Sequence, residues 1–522
     1  MARIGFMSDS LEMPATAVRP ARRRPRRWLT RLVLAAIAGA LGATGWWHTT
    51  KPLLPGMHVI GNWVPVPLNG LLLLADVTTA DAYGRPVVHQ EIFDETLRVI
   101  ADARDFIVLD FFLFNGNLGQ SREATTPPAR RLAAELRDAL IAAKRAHPDL
   151  RILLISDPIN DVYGAEPSPD FALLTKAGVE VVRTHLDRLR DSNPLYSSCW
   201  RLAMSWWRDA GEGAGWLPNP LETAPSQLSF RAWARLLNLK ANHRKVVIAD
   251  DGRKGLVGVV GSANPHDASS SHSNLALGVR GFALLPLLQS ELAIARFSGW
   301  RGNLPLALAA APRGINRGID RSKVVLVRVL SEGAIEDAVL EQIRGAHSGD
   351  HIDAALFYLA ERNIIEALLG AAARGVEVRV LLDPNGEAFG RSKSGIPNRP
   401  VASELLSQSD GAVKIRWYRT HGEQFHVKML AVRSPERLWL TLGSANFTRR
   451  NLDDYNLEAN VAVEAAANTP FAGDVSRWFE TLWNNRGPPG SEYTTDFGTY
   501  ADPEQISYWS YRVMEASGLS TF

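Results

Sequence analysis

The chain has 522 residues, 46% hydrophobic and 22% charged, with a formal net charge of +3. That length accommodates two domain-sized units with their own cores, and so small a charge does not by itself point to a strongly nucleic-acid-binding surface. The single cysteine, Cys199, excludes an intramolecular disulfide and a cysteine-rich metal site, and in its aromatic segment it reads as a buried or half-buried small hydrophobe.

Residues 1–27 are basic, with Arg19, Arg22, Arg23, Arg24, Arg26 and Arg27, and Arg31 follows. The segment 28–48 is apolar, with Trp28 at one edge and Trp46 and Trp47 at the other. A basic flank, an apolar run and aromatic ends predict a transmembrane helix whose N-terminus stays inside the cell, close to the roughly 20 residues a span requires. The expected location is a bacterial inner membrane, crossed once, with the rest of the chain outside the cytoplasm. The alternative is a cleaved signal, for which Ala40, Ala43 and Gly45 supply small residues, leaving a periplasmic or secreted protein.

An internal repeat follows. Helix-like stretches at Glu91–Ala103 and Ala334–Ala346 each precede a strand-like run, Phe106–Phe112 and Ile352–Tyr358. Helices with good propensity come next, at Arg130–Ala146 and Asn363–Arg374. Apolar strands then end in Asp157-Pro158 and Asp383-Pro384. Each copy closes on a His-x-Lys, an apolar run, a turn, a second apolar run and Gly-Ser-Ala-Asn: His243 and Lys245 to Asn264, and His426 and Lys428 to Asn446. The expected fold is α/β, with two tandem domains, each a mixed sheet flanked by helices, related by a pseudo-twofold and preceded by the N-terminal helix.

The expected bounds are 58–301 for the first domain, 302–324 for a linker, 325–490 for the second domain and 491–522 for a C-terminal extension. From Asp157 to His243 is 86 positions and from Asp383 to His426 is 43, so the first half carries an insertion near 186–235. It holds Trp200, Trp206, Trp207, Trp216 and Trp233 with Arg188, Arg190, Arg201, Arg208 and Arg231. Such a composition suits either helices packed on the domain or a membrane interface.

The repeated residues suit phosphoryl transfer. On a strand, His and Lys two apart leave by one face. Neutral imidazole attacks phosphorus or passes a proton to a leaving oxygen. Lysines and amides stabilise the non-bridging oxygens. No metal or cofactor is required, because the two lysines supply the positive charge. His266, Asp267 and His272 lack a ligand spacing and read as turn-stabilising polar groups.

Over roughly residues 85–485 the doubled pattern resembles the phospholipase D superfamily, marked by two HxKxxxxD motifs each followed by GSxN. His243, Lys245, Asp250, Gly261, Ser262 and Asn264 match the first motif; His426, Lys428, Gly443, Ser444 and Asn446 match the second. The resemblance implies a metal-independent phosphodiesterase with a phosphohistidine intermediate, His243 as nucleophile and His426 as general acid. It assigns Lys245, Asn264, Lys428 and Asn446 to catalysis and Asp250, Ser262, Ser444 and Glu458 to support. The chain departs from the pattern at Arg433, where the second motif expects aspartate, and in the ten residues between Asp250 and Gly261. Asn456 and Glu458 resemble a supporting NxE segment, whose counterpart reads Asn274-Leu275-Ala276. Asp250 in one half and Glu458 in the other allow one carboxylate per histidine.

The expected substrate is a membrane phospholipid, with water or an alcohol as acceptor and a monomeric site built from two halves of one chain. Alternatives are a cardiolipin-synthase-like phosphatidyltransferase, a DNA or RNA phosphodiesterase, which the near-neutral charge disfavours, and a silent lipid-binding scaffold. No nucleic-acid partner is expected.

Overall fold

The computed structural model describes residues 27–81, 83, 85–117, 130–207, 215–219, 227–305, 320–388, 391–487 and 492–522. Arg19 to Arg26, Arg208 and most of the 302–324 linker lie outside the described residues. A long helix, α1 (Arg27–Thr50), opens the chain. Its Trp28–Thr50 portion, with mean hydropathy 1.4, is long and apolar enough to cross a membrane by length and composition.

Strand β1 (Val64–Pro67) precedes the first half in the chain but pairs with residues 324–327 of the second half's sheet, so the expected first domain, 58–301, does not hold its own first strand. The first half contains β2 (Leu71–Ala80), β3 (Pro86–His89), α2 (Ile92–Asp102), β4 (Phe106–Phe111), α3 (Leu132–Ala146) and β5 (Arg151–Ser156). Next come α4 (Pro169–Lys176), β6 (Glu180–Arg183) and α5 (Pro194–Ala203). A small pairing of β7 (Leu217–Pro218) with β8 (Gln227–Leu228) leads to α6 (Phe230–Leu236). The half ends with β9 (Lys245–Asp250), β10 (Leu256–Gly261), β11 (Asn274–Arg280) and α7 (Leu285–Phe297).

The second half repeats the plan with β12 (Val324–Ser331), α8 (Gly333–Gly345), β13 (His351–Leu356), α9 (Arg362–Ala373) and β14 (Glu377–Leu382). A short ribbon, β15 (Glu387–Ala388) with β16 (Arg391–Ser392), precedes α10 (Asn398–Gln408) and β17 (Lys414–Tyr418). Then follow β18 (Lys428–Arg433), β19 (Arg437–Gly443), α11 (Arg449–Leu452), β20 (Ala459–Ala466) and α12 (Pro470–Trp483). The C-terminal extension is ordered as β21 (Thr494–Asp496), which pairs with β17, and α13 (Gln505–Ser517), tied to α10 where Tyr511 Oη donates to Glu404 at 2.8 Å.

Among the described residues one large sheet runs β3-β2-β11-β10-β9-β4-β5-β6 and the other β1-β12-β20-β19-β18-β13-β14-β17-β21. Seven consecutive strands correspond, from β2-β11-β10-β9-β4-β5-β6 to β12-β20-β19-β18-β13-β14-β17. Both predicted hairpins form, β9 with β10 and β18 with β19. Central strands such as Phe106–Phe111 and Lys428–Ala431 are buried on both faces, which is why they read as unbroken apolar runs rather than alternating ones.

Among the described residues three large apolar cores stabilise this arrangement, with a small fourth at Val162, Leu228 and Ala232. One lies under α2 and α3, one under α8 and α9, and the third runs between the halves, joining Val246, Ile248 and Leu275 to Met429, Leu440 and Val461. Each such side chain contributes about 1.5–3 kcal/mol on burial. The halves also interlock through backbone. His243 N donates to Leu457 O at 2.9 Å, and His426 N donates to Ser273 O at 2.8 Å. The segment that bears each histidine thus pairs with the segment following the other half's Gly-Ser-Ala-Asn.

Candidate active site

The motif glycines permit a close backbone approach. A Cβ on Gly261 would overlap Ala276, and one on Gly443 would overlap the Ala459 carbonyl. The next residue then reaches back across the hairpin. Ser262 Oγ accepts from Leu275 N at 3.1 Å, and Ser444 Oγ accepts from Ala459 N at 3.0 Å. This register makes Asn274 the counterpart of Glu458, so the sequence alignment that set Ala276 against Glu458 is corrected by two positions.

Both supporting side chains serve the opposite half. Glu458 lies against His243 Nδ1, at 2.9 Å and 3.1 Å from its two oxygens, and also accepts from Ser444 Oγ and Asn451 Nδ2. Asn274 Oδ1 lies 3.1 Å from His426 Nδ1 and accepts from Ser262 Oγ at 3.0 Å. One histidine therefore leans on a carboxylate and the other on a neutral amide. The arrangement of one carboxylate per histidine does not form, because Asp250 supports neither ring. Asp250 sits at the far end of β9, where it accepts from the backbone N–H groups of Asp105 at 2.8 Å and Phe106 at 3.0 Å. At its counterpart, Arg433 pairs with Asp353 at 2.7 Å, so an ion pair stands where the first half has carboxylate–backbone contacts.

The lysines are equally symmetric. Lys245 Nζ donates to the His243 carbonyl at 2.5 Å, and Lys428 Nζ to the His426 carbonyl at 2.8 Å. Each ammonium also lies over a phenylalanine, Lys245 at 5.2 Å from the Phe112 centroid and Lys428 at 5.0 Å from that of Phe357. The same two rings stand edge-on to His243 and His426, both at 5.0 Å. Phe112 and Phe357 were not singled out by motif reading. Their signal was positional, since each is the first residue beyond a central strand.

The two Asp-Pro aspartates hold the chain entering each motif. Asp157 accepts from Asn242 N at 2.7 Å and Asp383 from Phe425 N at 2.7 Å. Burial pushes both carboxyls up to about 7. Asn264 Oδ1 accepts from Leu113 N at 3.2 Å, whereas Asn446 Oδ1 is buried without a hydrogen-bond partner among the described residues. His266, Asp267 and His272 diverge: His266 Nδ1 meets Ser269 Oγ at 2.9 Å, Asp267 accepts from Ala133 N at 3.1 Å, and His272 Nδ1 accepts from Gln424 N at 3.2 Å.

The four motif side chains form one electrostatic unit. Burial draws His243 down to about 4 against the pull of Glu458, so its ring is neutral and Nδ1–H donates to the carboxylate. Its Nε2 lone pair is thereby left free. Burial also lowers His426, with Lys428 and Lys245 adding to the effect. Lys245 falls to about 7 through burial, and Lys428 falls well below its ordinary value through burial and the neighbouring Lys245. For Glu458 burial acts upward, but His243 and Lys245 outweigh it and hold the carboxyl below its usual range. A pocket of lysines held partly uncharged, beside a neutral imidazole with its Nε2 lone pair free, is suited to receive an anion.

Cys199, expected to be buried or half-buried, is exposed. It lies on the outward face of α5, where the helix is covered on its other side through Trp200.

Residues 339–483, which include the second motif, match the family model described as cardiolipin synthase, PLD-like domain. Among solved structures the chain is similar to phosphatidylserine synthase from Haemophilus influenzae at 9% identity, covering 88% of this chain and 96% of that one, with a TM-score of 0.48. Polyphosphate kinase from Porphyromonas gingivalis is similar at 12% identity, over 82% and 52% of the two chains, with a TM-score of 0.41. The phospholipase D family member Nuc from Salmonella typhimurium is similar at 20% identity, over 33% and 99%, with a TM-score of 0.25. No curated relative matches the chain.

Proposed function

We infer from the doubled His-x-Lys and Gly-Ser-Ala-Asn site, and from the family-model match over residues 339–483, that this chain is a phospholipase D-like phosphodiesterase or phosphatidyltransferase acting on phospholipids through a phosphohistidine on His243. The single observation that carries the assignment is the contact of His243 Nδ1 with Glu458 at 2.9 Å, against the contact of His426 with the neutral Asn274. A carboxylate behind Nδ1 fixes the tautomer with Nε2 free and stabilises the positive charge that develops on attack. An amide fixes a tautomer but supports no lasting charge.

In the first step His243 Nε2 bonds to phosphorus, the bond from phosphorus to the leaving alcohol oxygen breaks, and protonated His426 passes its Nε2 proton to that oxygen. In the second, water or an acceptor alcohol gives its proton to His426 as its oxygen bonds to phosphorus. The phosphorus–nitrogen bond then breaks and frees His243. Lys245 and Lys428, with the amides of Asn264 and Asn446, face the non-bridging oxygens as charge builds. Substrate charge supplies what the free site lacks, since a bound phosphodiester draws protons onto Lys245, Lys428 and His426.

The apolar N-terminal helix supports a membrane-anchored enzyme working on lipid. Full-length protein in phospholipid bilayers, assayed against a head-group panel with products identified by mass spectrometry, tests this reading. Phosphatidic acid, or cardiolipin when phosphatidylglycerol is the acceptor, is expected, and a His243→Ala, His426→Ala variant is silent. Untouched lipid together with salt-sensitive DNA cleavage would overturn it.

A further inference from the structure

The end of α1 is built into the first-half insertion rather than tethered to it. Asp191 N donates to His48 O at 2.9 Å, Thr49 Oγ1 donates to Asp191 O at 3.2 Å, and Arg190 Nε donates to Lys51 O at 2.8 Å. Asp191 is fixed in turn by Arg201 at 2.6 Å and by Lys240. The two helices also approach closely at Gly45, where an added Cβ would stand 2.9 Å from Ser198 Oγ on α5. Asn193, whose side chain accepts from Tyr196 N, and Pro194 start α5 at this contact. The hydrogen bonds at the last helical turn, together with the close contact at Gly45, fix the direction of α1 against α5.

Most of α1 is uncovered: only 6% of its most apolar window is buried. The uncovered surface continues onto the insertion. Leu195, Cys199 and Leu202 follow at spacings of four and three along α5, exposed on one face, and the exposed Trp206 just past its end stays beside that face, its Nε1 donating to Leu202 O at 3.1 Å. Trp206 is 71% exposed and Trp216 68%, and Trp207 packs beside the exposed Phe230 at 6.4 Å. Trp46 and Trp47, at the foot of α1, are 68% and 52% exposed. Exposed tryptophans this dense are unfavourable in water and match headgroup depth, where the ring is apolar and the N–H wet.

We propose that the insertion is a membrane seat: the outer face of α5 with Trp206 and Trp207 lies at headgroup depth in the same bilayer that α1 enters. The inference rests on the anchored reading of α1 and adds that the catalytic halves are held at a fixed height and tilt. The occupant of the face is lipid, because the surface is continuous with a helix whose own apolar surface faces outward and whose direction is locked to it.

Cys199 lies in the middle of the stripe and is the chain's only cysteine, so the full chain takes a single environment-sensitive fluorophore there. After reconstitution into nanodiscs, the label is expected to lose most of its intensity to headgroup-linked and shallow acyl nitroxide lipids and little to aqueous iodide. A Trp206→Ser, Trp207→Ser variant, changed only at exposed rings, should return the label to iodide while α1 stays inserted. A label quenched by iodide and untouched by nitroxide lipids overturns the seat, as does energy transfer between labelled copies, which assigns the face to a second chain. Failure of the protein to enter nanodiscs at all would instead overturn the anchored reading.

Discussion

Nδ1 of His243, from the first half, lies 2.9 Å from Oε1 of Glu458, from the second. In the proposed mechanism, neither half holds a working nucleophile alone. Glu458→Gln keeps the shape and removes the charge that fixes the tautomer and answers the developing imidazolium, so kcat is expected to fall by about 10²–10⁴-fold. Asn274→Ala removes a neutral contact worth about 1 kcal/mol and should cost about fivefold. Steady-state rates of the two variants check the asymmetry, and equal losses would contradict it.

Asn274→Asp places a carboxylate against His426, which burial and its cationic neighbours now hold low. An opposite charge at that distance raises a histidine by about one to three units. The pH profile of kcat/KM should therefore move to higher pH, since protonated His426 persists further and its neutral form appears later. An unmoved profile means that His426 does not carry the proton.

Lys245, drawn to about 7 by burial, is partly neutral in the free site at pH 7 and largely neutral at pH 8. A phosphate anion favours the ammonium form, so binding at pH 8 takes up protons. Affinity should fall as pH rises above about 7, by up to tenfold per unit for each proton taken up. Titration calorimetry of the full chain with inorganic vanadate, repeated in buffers of different ionisation heat, measures the uptake. Binding at pH 8 without proton uptake would contradict this account of the lysines.

Arg244, the residue between His243 and Lys245, is fully buried and bridges the halves, with Nη1 3.0 Å from Glu291 and Nη2 2.6 Å from Glu332. Glu332 also accepts from Glu458 N at 3.0 Å, directly behind the His243–Glu458 contact. Arg244→Met leaves two buried carboxylates uncompensated and should destabilise by about 3–5 kcal/mol, read as a lower urea midpoint. Adding Glu291→Gln and Glu332→Gln should recover much of that loss. No recovery would mean that packing, not charge, dominates.

The repeat was legible because its strands are apolar throughout and punctuated by Asp157-Pro158 and Asp383-Pro384. The helices at Ile92–Asp102 and Gly333–Gly345 lie within two residues of their expected bounds. Strand β1 was not, since Val64–Pro67 pairs with β12, about 260 residues away, and no local pattern encodes a partner. The same holds at the site. His-x-Lys and Gly-Ser-Ala-Asn were read directly, but that Glu458 serves His243 and Asn274 serves His426 follows only from the crossed pairing of the halves. Asn274 also required the β10–β11 register, in which Gly261 opposes Ala276. Exposure of Cys199 reflects the orientation of α5, whose aromatic composition alone suggested burial.

In the proposed mechanism His243 forms the covalent bond to phosphorus. Full-length protein mixed with phosphatidylglycerol in bilayers, quenched within milliseconds in alkali-compatible denaturant and digested, gives peptides whose mass locates the adduct. A phosphatidyl adduct is expected on the peptide containing His243, absent from His243→Ala and greatly reduced in Glu458→Gln. An adduct on His426, or turnover with no adduct on either histidine, would contradict the mechanism.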